Sequence, residues 1–239
     1  GAALGGHFNY IDNLLAYDQR DYIKTWVARK AARKGYLEYA ELFRTQHGAC
    51  VSDIAKEAAK GGYINYAEKL RTQHDASVNM IAEGAVHGGY KDYAEWLRTQ
   101  HGADVDRIAR KAAHIGDRNY AEMLRTRHNA SATYIAAGAA QAGDLEYAET
   151  LRTQHGANID WIAIKAAYGG HQAYAEMLRT RENADIEAIL DGALEGGHIQ
   201  YFNFLDDIIE QRQTAQTHNS SRQNSSHNPS LFPVAVPTS

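Results

Sequence analysis

The chain has 239 residues, a formal net charge of −4 at pH 7 and an isoelectric point near 6.3. General nucleic-acid binders and anionic-membrane binders normally carry a basic excess, so this charge balance argues against both classes. A single cysteine, Cys50, excludes an intrachain disulfide. No apolar run approaches the roughly 20 residues of a membrane-spanning helix. With 44% hydrophobic and 23% charged residues, the composition predicts an ordinary folded, soluble protein that does not enter a membrane.

A tyrosine recurs every 27 residues, from Tyr39 to Tyr201, and marks an internal repeat. Counted from Tyr22, each unit has an apolar residue at its sixth place, usually followed by alanine, and a glycine at its fourteenth place. This recurrence within one chain indicates that the units share a geometry. The seven full units span residues 22–48, 49–75, 76–102, 103–129, 130–156, 157–183 and 184–210.

The first residues of the chain look like part of one more unit. The segment GGHFNYIDNLL, residues 5–15, is similar to GGHIQYFNFL, residues 196–205, and Tyr10 lies 29 residues before Tyr39. Residues 1–21 are therefore interpreted as a partial N-terminal repeat. Two explanations stay open, a fragment of a longer repeat protein or an unusual natural cap, and the first is favoured.

The residue pattern of each unit predicts two helices. The first begins after a polar capping residue and then places apolar side chains at helical spacing, as at Val105, Ile108 and Ala112. The glycine at the fourteenth place ends it, because glycine adopts the left-handed conformation at little cost. The second helix runs from about Asn119 to His128 in the fourth unit and stops at a further break. The predicted capping residues are Ser77, Asp104, Ser131, Asn158 and Asp185.

A single pair of short helices cannot bury its apolar stripe, whereas stacked pairs create a continuous core. The predicted fold is therefore all-α, an α-solenoid of stacked helix-turn-helix repeats. Unit 184–210 replaces the usual Ala-Glu-x-Leu-Arg-Thr by Phe-Asn-Phe-Leu-Asp-Asp at 202–207, which is typical of a C-terminal cap. Residues 211–239 are polar and of low complexity and predict a disordered tail. The final LFPVAVP is either part of that tail or a linear docking motif.

The unit resembles the ankyrin repeat. The similarity lies in Ala31-Ala32, in Gly35-Tyr36-Leu37-Glu38-Tyr39-Ala40-Glu41 and in Gly102-Ala103-Asp104-Val105. An ankyrin unit has about 33 residues. The 27-residue unit lacks the part that would carry the Thr-Pro-Leu-His turn and the β-hairpin. The resemblance implies a right-handed or curved superhelix with a concave groove lined by the first helices. It also implies a protein-binding scaffold that grips its partner with helix faces and short turns.

Several polar columns repeat and are interpreted as architecture. A Glu-x-x-Arg pair occurs in six units, from Glu41/Arg44 to Glu176/Arg179, and six copies along a rod are hard to explain as six active sites. The tyrosine column is interpreted as core with its hydroxyl at the edge. Equivalent places in stacked units are about 10 Å apart, too far for one metal ion with bonds of about 2 Å. No catalytic residue, metal site or cofactor is predicted. The histidines that are expected to cap second helices are His47, His74, His101, His128 and His155.

One face of the first helices does not repeat. It is formed by the fifth, eighth, ninth and twelfth places of each unit. This face is basic in units one to four, aromatic in units five and six, and acidic at Asp191 and Glu195. Exposed tryptophan, tyrosine and arginine are enriched at binding hot spots, so a binding face is favoured over a solvated face that merely varies. The predicted partner-binding residues are Trp26, Arg29, Arg33, Lys60, Met80, His87, Arg107, Arg110, His114, Tyr134, Trp161 and Tyr168.

These patterns favour a non-catalytic scaffold, monomeric and cytoplasmic, that binds a protein or peptide along the groove. One alternative is an accessory region of a longer enzyme, for example a bacterial effector acting in the host cytoplasm. Another is a nucleic-acid-binding helical repeat, which the basic face of units one and four favours and the net charge opposes.

Overall fold

The computed structural model describes residues 21–225, and in that range the chain forms helices and no strand. None of these helices is both long and apolar enough to cross a membrane. Residues 1–20 of the predicted partial repeat 1–21 lie outside the described residues, and Asp21 is the first residue of α1. The helices are α1 Asp21–Lys34, α2 Leu37–His47, α3 Val51–Gly61, α4 Ile64–His74, α5 Val78–Gly88, α6 Lys91–His101, α7 Val105–His114, α8 Arg118–His128, α9 Ala132–Ala142, α10 Leu145–His155, α11 Ile159–Tyr168, α12 Gln172–Arg181, α13 Ile186–Glu195 and α14 Ile199–Ser225.

The helices form seven pairs, and each pair corresponds to one 27-residue unit. The odd-numbered helices are called first helices, and the even-numbered ones second helices. Each second helix packs on the first helix of its own unit, and each first helix packs on the first helix of the next unit. The predicted all-helical solenoid is therefore confirmed. Its core is one continuous row of buried side chains, in which isoleucine from first helices alternates with leucine from second helices.

The row of first helices is packed more tightly than the row of second helices. Neighbouring first helices share many close backbone contacts, whereas neighbouring second helices share few. A stack that is shorter on one side curves toward that side. The first helices therefore line the concave side of the array.

Glycine makes this close packing of first helices feasible. A Cβ atom on Gly84 would lie 2.1 Å from the carbonyl oxygen of Lys56, and one on Gly138 would lie 2.2 Å from that of Arg110. Similar glycine-to-backbone contacts occur at every junction between units except the one between units three and four. There the corresponding places hold Lys111 and Ile115. Accordingly, α5 and α7 pack least closely among neighbouring first helices in the described array.

A hydrogen-bonded ladder joins the second helices. In each of the first six units the arginine contacts its own glutamate, as in Arg98 to Glu95 at 2.7 Å. The tyrosine hydroxyl of the following unit donates to that same glutamate, as in Tyr120 to Glu95 at 2.7 Å. The predicted Glu–Arg pairs are confirmed, and it is the tyrosine column that connects one unit to the next. The six inter-unit bonds are Tyr66–Glu41, Tyr93–Glu68, Tyr120–Glu95, Tyr147–Glu122, Tyr174–Glu149 and Tyr201–Glu176.

A second ladder runs along the beginnings of the first helices. The fourth place of each unit carries a side-chain oxygen that accepts from the backbone N–H at the start of the next first helix. Asn79, for example, accepts from the N–H of Asp104 at 2.7 Å. The residue type varies at this place, but each of these residues has a side-chain oxygen. The hydrogen bond therefore recurs although the residue does not. The six acceptors are Thr25, Ser52, Asn79, Asp106, Thr133 and Asp160.

The helix ends largely follow the predictions. Ser77, Asp104, Asn158 and Asp185 accept hydrogen bonds from the first turn of the helix that follows each of them. Ser131 was expected to do the same, but its side chain makes no capping bond. The five histidines each end a second helix, as predicted.

The C-terminal helix is longer than predicted. Residues 211–225 continue α14 to Ser225, where the sequence predicted a disordered tail from residue 211. The segment contains glutamine, arginine and alanine and has no proline before Pro229, so nothing in it interrupts the helix. Residues 226–239, including LFPVAVP, lie outside the described residues.

Replacing Gly84 by alanine tests the close packing. Alanine normally stabilises a helix interior by about 1 kcal/mol over glycine. Here the new methyl group meets the Lys56 carbonyl oxygen, so we expect Gly84→Ala to destabilise the fold by about 2 kcal/mol. Urea unfolding measures the change, with Thr150→Ala on α10 as control. A stabilised Gly84→Ala variant would contradict the packing described.

The ladder predicts a loss of stability in acid. The pKa of Glu41 is lowered from 4.5 to about 2, chiefly by its hydrogen bond from Arg44, against the opposing effect of burial and with help from Tyr66. A carboxyl whose folded pKa is depressed contributes stability above its unfolded pKa, and that contribution is lost as the pH falls toward the folded value. We expect Glu41→Gln to lower the unfolding free energy at about pH 7 and to flatten its decline toward about pH 3. Glu38→Gln, at an exposed position one turn away, is the control and should leave both unchanged.

Candidate binding face

The predicted partner-binding residues all lie on first helices, on the concave side of the array. None of them is buried, so each keeps contact with solvent. The structure brings some of them together and leaves others far apart along the array. From the N-terminal end, they are Trp26, Arg29 and Arg33 on α1, Lys60 on α3, Met80 and His87 on α5, Arg107, Arg110 and His114 on α7, Tyr134 on α9, and Trp161 and Tyr168 on α11.

Aromatic side chains gather in units five and six. Trp161 is 42% exposed, and its ring centroid lies 5.7 Å from that of Tyr134. Lys165 lies over the Tyr168 ring, with its Nζ 5.1 Å from the ring centroid. A large exposed indole beside a tyrosine offers apolar contact area to a partner. Trp26 is similarly exposed at 41%, but it lies at the other end of the array, with Lys30 over its ring.

A buried carboxylate organises the middle of the face. Glu83 is only 2% exposed and lies at the wide junction between units three and four. Lys56 Nζ and Arg107 Nε each lie 2.7 Å from its oxygens, and Arg110 lies at 3.8 Å. Burial alone would raise the pKa of the Glu83 carboxyl, but the hydrogen bonds and charges of Lys56 and Arg107 outweigh it and lower the pKa. Arg107 therefore has a structural role beside any role in binding.

Arg29 is also engaged with carboxylates. Its guanidinium lies 3.4 Å from Glu57 and 4.0 Å from Asp53. Each of these pairs connects unit one to unit two along the same face. Part of the basic charge that the sequence assigned to partner binding is thus balanced within the protein.

Other cations on this face have no carboxylate partner. Within the described part of the chain, Arg33, Lys60 and Lys111 make no ion pair. The pKa of the His87 imidazole is lowered to about 4 by partial desolvation and by the charges of Lys60, Lys111 and Arg33, although the residue as a whole remains exposed. Burial and Lys111 lower the pKa of His114 in the same way. These side chains form a region of unbalanced positive charge.

Sequence reasoning missed the importance of Glu83 and of two lysines at the ninth place, Lys111 and Lys165. In the sequence, Glu83 is simply an acidic residue on a largely basic face. A signal was present, because Lys56, Glu83 and Arg110 all occupy the eighth place of successive units and are therefore neighbours. Within residues 21–225 no group of three or more histidine, cysteine, aspartate or glutamate side chains is arranged to hold a metal ion.

Trp96 lies on the second helix of unit three, at a place where the residue type differs among units. Its side chain is 40% exposed. Its ring stacks on Tyr93 at 5.9 Å and meets His101 edge-on at 4.4 Å. Arg71 of the preceding unit lies 5.8 Å from its ring. These contacts fix Trp96 against its own unit and the one before it.

Removing the charge of Glu83 tests its structural role. In Glu83→Gln the cations Lys56, Arg107 and Arg110 lose the carboxylate between them. We expect a loss of about 3 kcal/mol in unfolding free energy, because breaking a buried ion pair leaves its partners uncompensated. Urea unfolding measures this loss. Glu146→Gln is the control, since that side chain is 88% exposed; equal effects of the two substitutions would contradict the assignment.

Comparisons with known proteins assign the array to no family. A scan against models of protein families finds no match, and a search of curated proteins finds no significant relative. The resemblance to the ankyrin repeat therefore stays a prediction that rests on the residues quoted for it. The function has to be inferred from the binding face itself.

Proposed function

We propose that this array is a non-catalytic scaffold that binds a protein or an extended peptide along the concave face of its first helices. The observation that carries the proposal is that recurring positions and variable positions of the repeat have different roles. Most residues that hold the stack together recur from unit to unit, whereas the side chains on this face differ from one unit to the next. Such variation suits a surface that matches a partner of non-repeating shape.

The distribution of side chains on the face supports the same proposal. The exposed Trp161 and the partly exposed Tyr134 and Tyr168 of units five and six lie further along the same face than the unpaired cations of units one to four. Aromatic and arginine side chains dominate the energetics of protein interfaces. The exposed acidic residues Asp191 and Glu195 on this face disfavour a nucleic-acid backbone as the partner.

The polar residues that recur are committed to structure. The glutamates and arginines of the second helices bond to each other and to tyrosines, which leaves them engaged rather than poised for chemistry. This supports a scaffold in preference to an enzyme. It is also consistent with the array serving as an accessory region of a longer protein.

Selection of peptides on the intact chain tests the proposal. Peptides from a random displayed library are enriched on the wild-type protein and their affinities are measured by titration. We expect Trp161→Ala/Tyr168→Ala to weaken binding at least about tenfold, a loss of about 1.4 kcal/mol or more.

Trp96→Ala is the matched control, because Trp96 is a tryptophan of nearly equal exposure on a second helix. It should leave the affinities unchanged. Peptides that bind equally well to both variants would show that the first-helix face is not the binding surface.

A further inference from the structure

A cavity of about 320 Å³ lies on the concave face at the boundary between the basic and aromatic regions. Four cationic side chains line it, from Lys56, Arg110, Lys111 and Lys165, together with two carboxylates, from Glu83 and Glu195. The lining therefore carries two more positive than negative charges. The protein as a whole carries a net charge of −4, so this excess is local.

The excess charge resides mainly on the lysines. Glu83 is already bonded by Lys56 and by Arg107 from outside the cavity, each at 2.7 Å. Lys111 has no ion-pair partner in the described part of the chain, and the pKa of its amine is lowered to about 8 by burial and then by the charge of Lys56. Like charges held together in this way destabilise the empty protein. Such arrangements are typical of sites whose ligand supplies the missing charge.

The cavity is a consequence of the repeat. Lys111 and Lys165 both occupy the ninth place of their units, and Gly138 holds that place in the unit between them. A Cβ atom on Gly138 would lie 2.2 Å from the carbonyl oxygen of Arg110, so no side chain can fill the space between the two lysines. The side chains of Lys111 and Lys165 therefore line the cavity without a side chain from the unit between them at that place.

His114 lines the same cavity and is not satisfied by the protein. Its Nδ1 is buried and has no hydrogen-bond partner among the described residues. Burial and the charges of Lys111, Arg110 and Lys60 lower its pKa. An anion in the cavity would offset those charges and favour the protonated, hydrogen-bonding imidazole.

We propose that this cavity, between Lys111 and Lys165, is a binding site for a phosphate-type oxyanion. A phosphate carries a charge of about −1.5 to −2 at neutral pH and has three strong acceptor oxygens, which match the two excess charges and the several donors. A single carboxylate would leave one of the charges unbalanced. Gln141 adds an uncharged donor to the lining.

The source of the phosphate is inferred from the proposed function, on which this step rests. A phosphorylated side chain of a bound peptide would place its oxyanion in the cavity while neighbouring residues contact Trp161, on the same helix as Lys165. Free orthophosphate shares the chemistry but would not contact Trp161. The two sources are therefore separable by experiment.

Calorimetric titration of the full chain with orthophosphate tests the site. We expect saturable binding that Lys111→Met/Lys165→Met weakens at least about tenfold. Lys69→Met/Arg127→Met removes the same two charges from second helices and should bind as the wild type does. Without phosphate, the Lys111/Lys165 variant should melt close to the wild-type temperature, because relief of repulsion at Lys111 offsets the loss of the Lys165 contact with Tyr168. Absence of orthophosphate binding to the wild type, or equal binding by the two double variants, would overturn the proposal.

A phosphoserine peptide library and its unphosphorylated serine counterpart distinguish the sources. Tighter binding of the phosphorylated library, lost in both Lys111→Met/Lys165→Met and Trp161→Ala, supports a phosphopeptide. If orthophosphate binds but phosphorylation of the peptides adds nothing, the oxyanion site stands and the phosphopeptide source is wrong. If unphosphorylated peptides bind in a Trp161-dependent manner and orthophosphate does not bind, the scaffold proposal is supported and the proposed oxyanion site is wrong.

Discussion

The close approach of neighbouring first helices is the constraint on which the structure depends. A unit of 27 residues is too small to form a core by itself, so its isoleucine and leucine are buried only when the next unit stacks on it. Small residues permit that contact, as Gly84 does against the Lys56 carbonyl at 2.1 Å from its notional Cβ. The curvature of the array follows, because the second helices have larger side chains between them and stay further apart.

The same constraint separates structure from function along each helix pair. One side of a first helix must be alanine and glycine, and the second helix must supply the tyrosine, glutamate and arginine of the ladder. What remains free to change is the concave face of the first helix. At the junction of units three and four the close-packing glycines are replaced by Lys111 and Ile115, and the wider space holds Glu83 with its cations. A departure from the repeat thus coincides with the greatest concentration of charge.

Much of the fold could be read from the sequence because periodicity reports it directly. Seven units, two helices in each and the breaks between them all follow from spacing. The inter-unit bonds were harder to foresee, since a tyrosine that looks like core also reaches the glutamate 25 residues earlier, as Tyr120 reaches Glu95. The fourth-place ladder was hidden because threonine, serine, asparagine and aspartate serve equally as acceptors. For the candidate site, the sequence indicated the face but not which cations are free. In the sequence, Arg107 and Lys111 are both basic residues of the same first helix. Only the position of Glu83 in the structure shows that Arg107 is paired with a carboxylate and Lys111 is not.

The tyrosine ladder also gives the array a direction. Every unit offers a glutamate to the tyrosine of the unit that follows it, so growth of the stack requires an acceptor at the twentieth place. In the last unit that place is Asn203, and Asp206 stands where the other units have arginine. A second molecule that approached this end with its own tyrosine would find no charged acceptor held by an arginine. The final unit therefore lacks the acceptor that would continue the ladder, which disfavours head-to-tail stacking of a chain built from nearly identical parts.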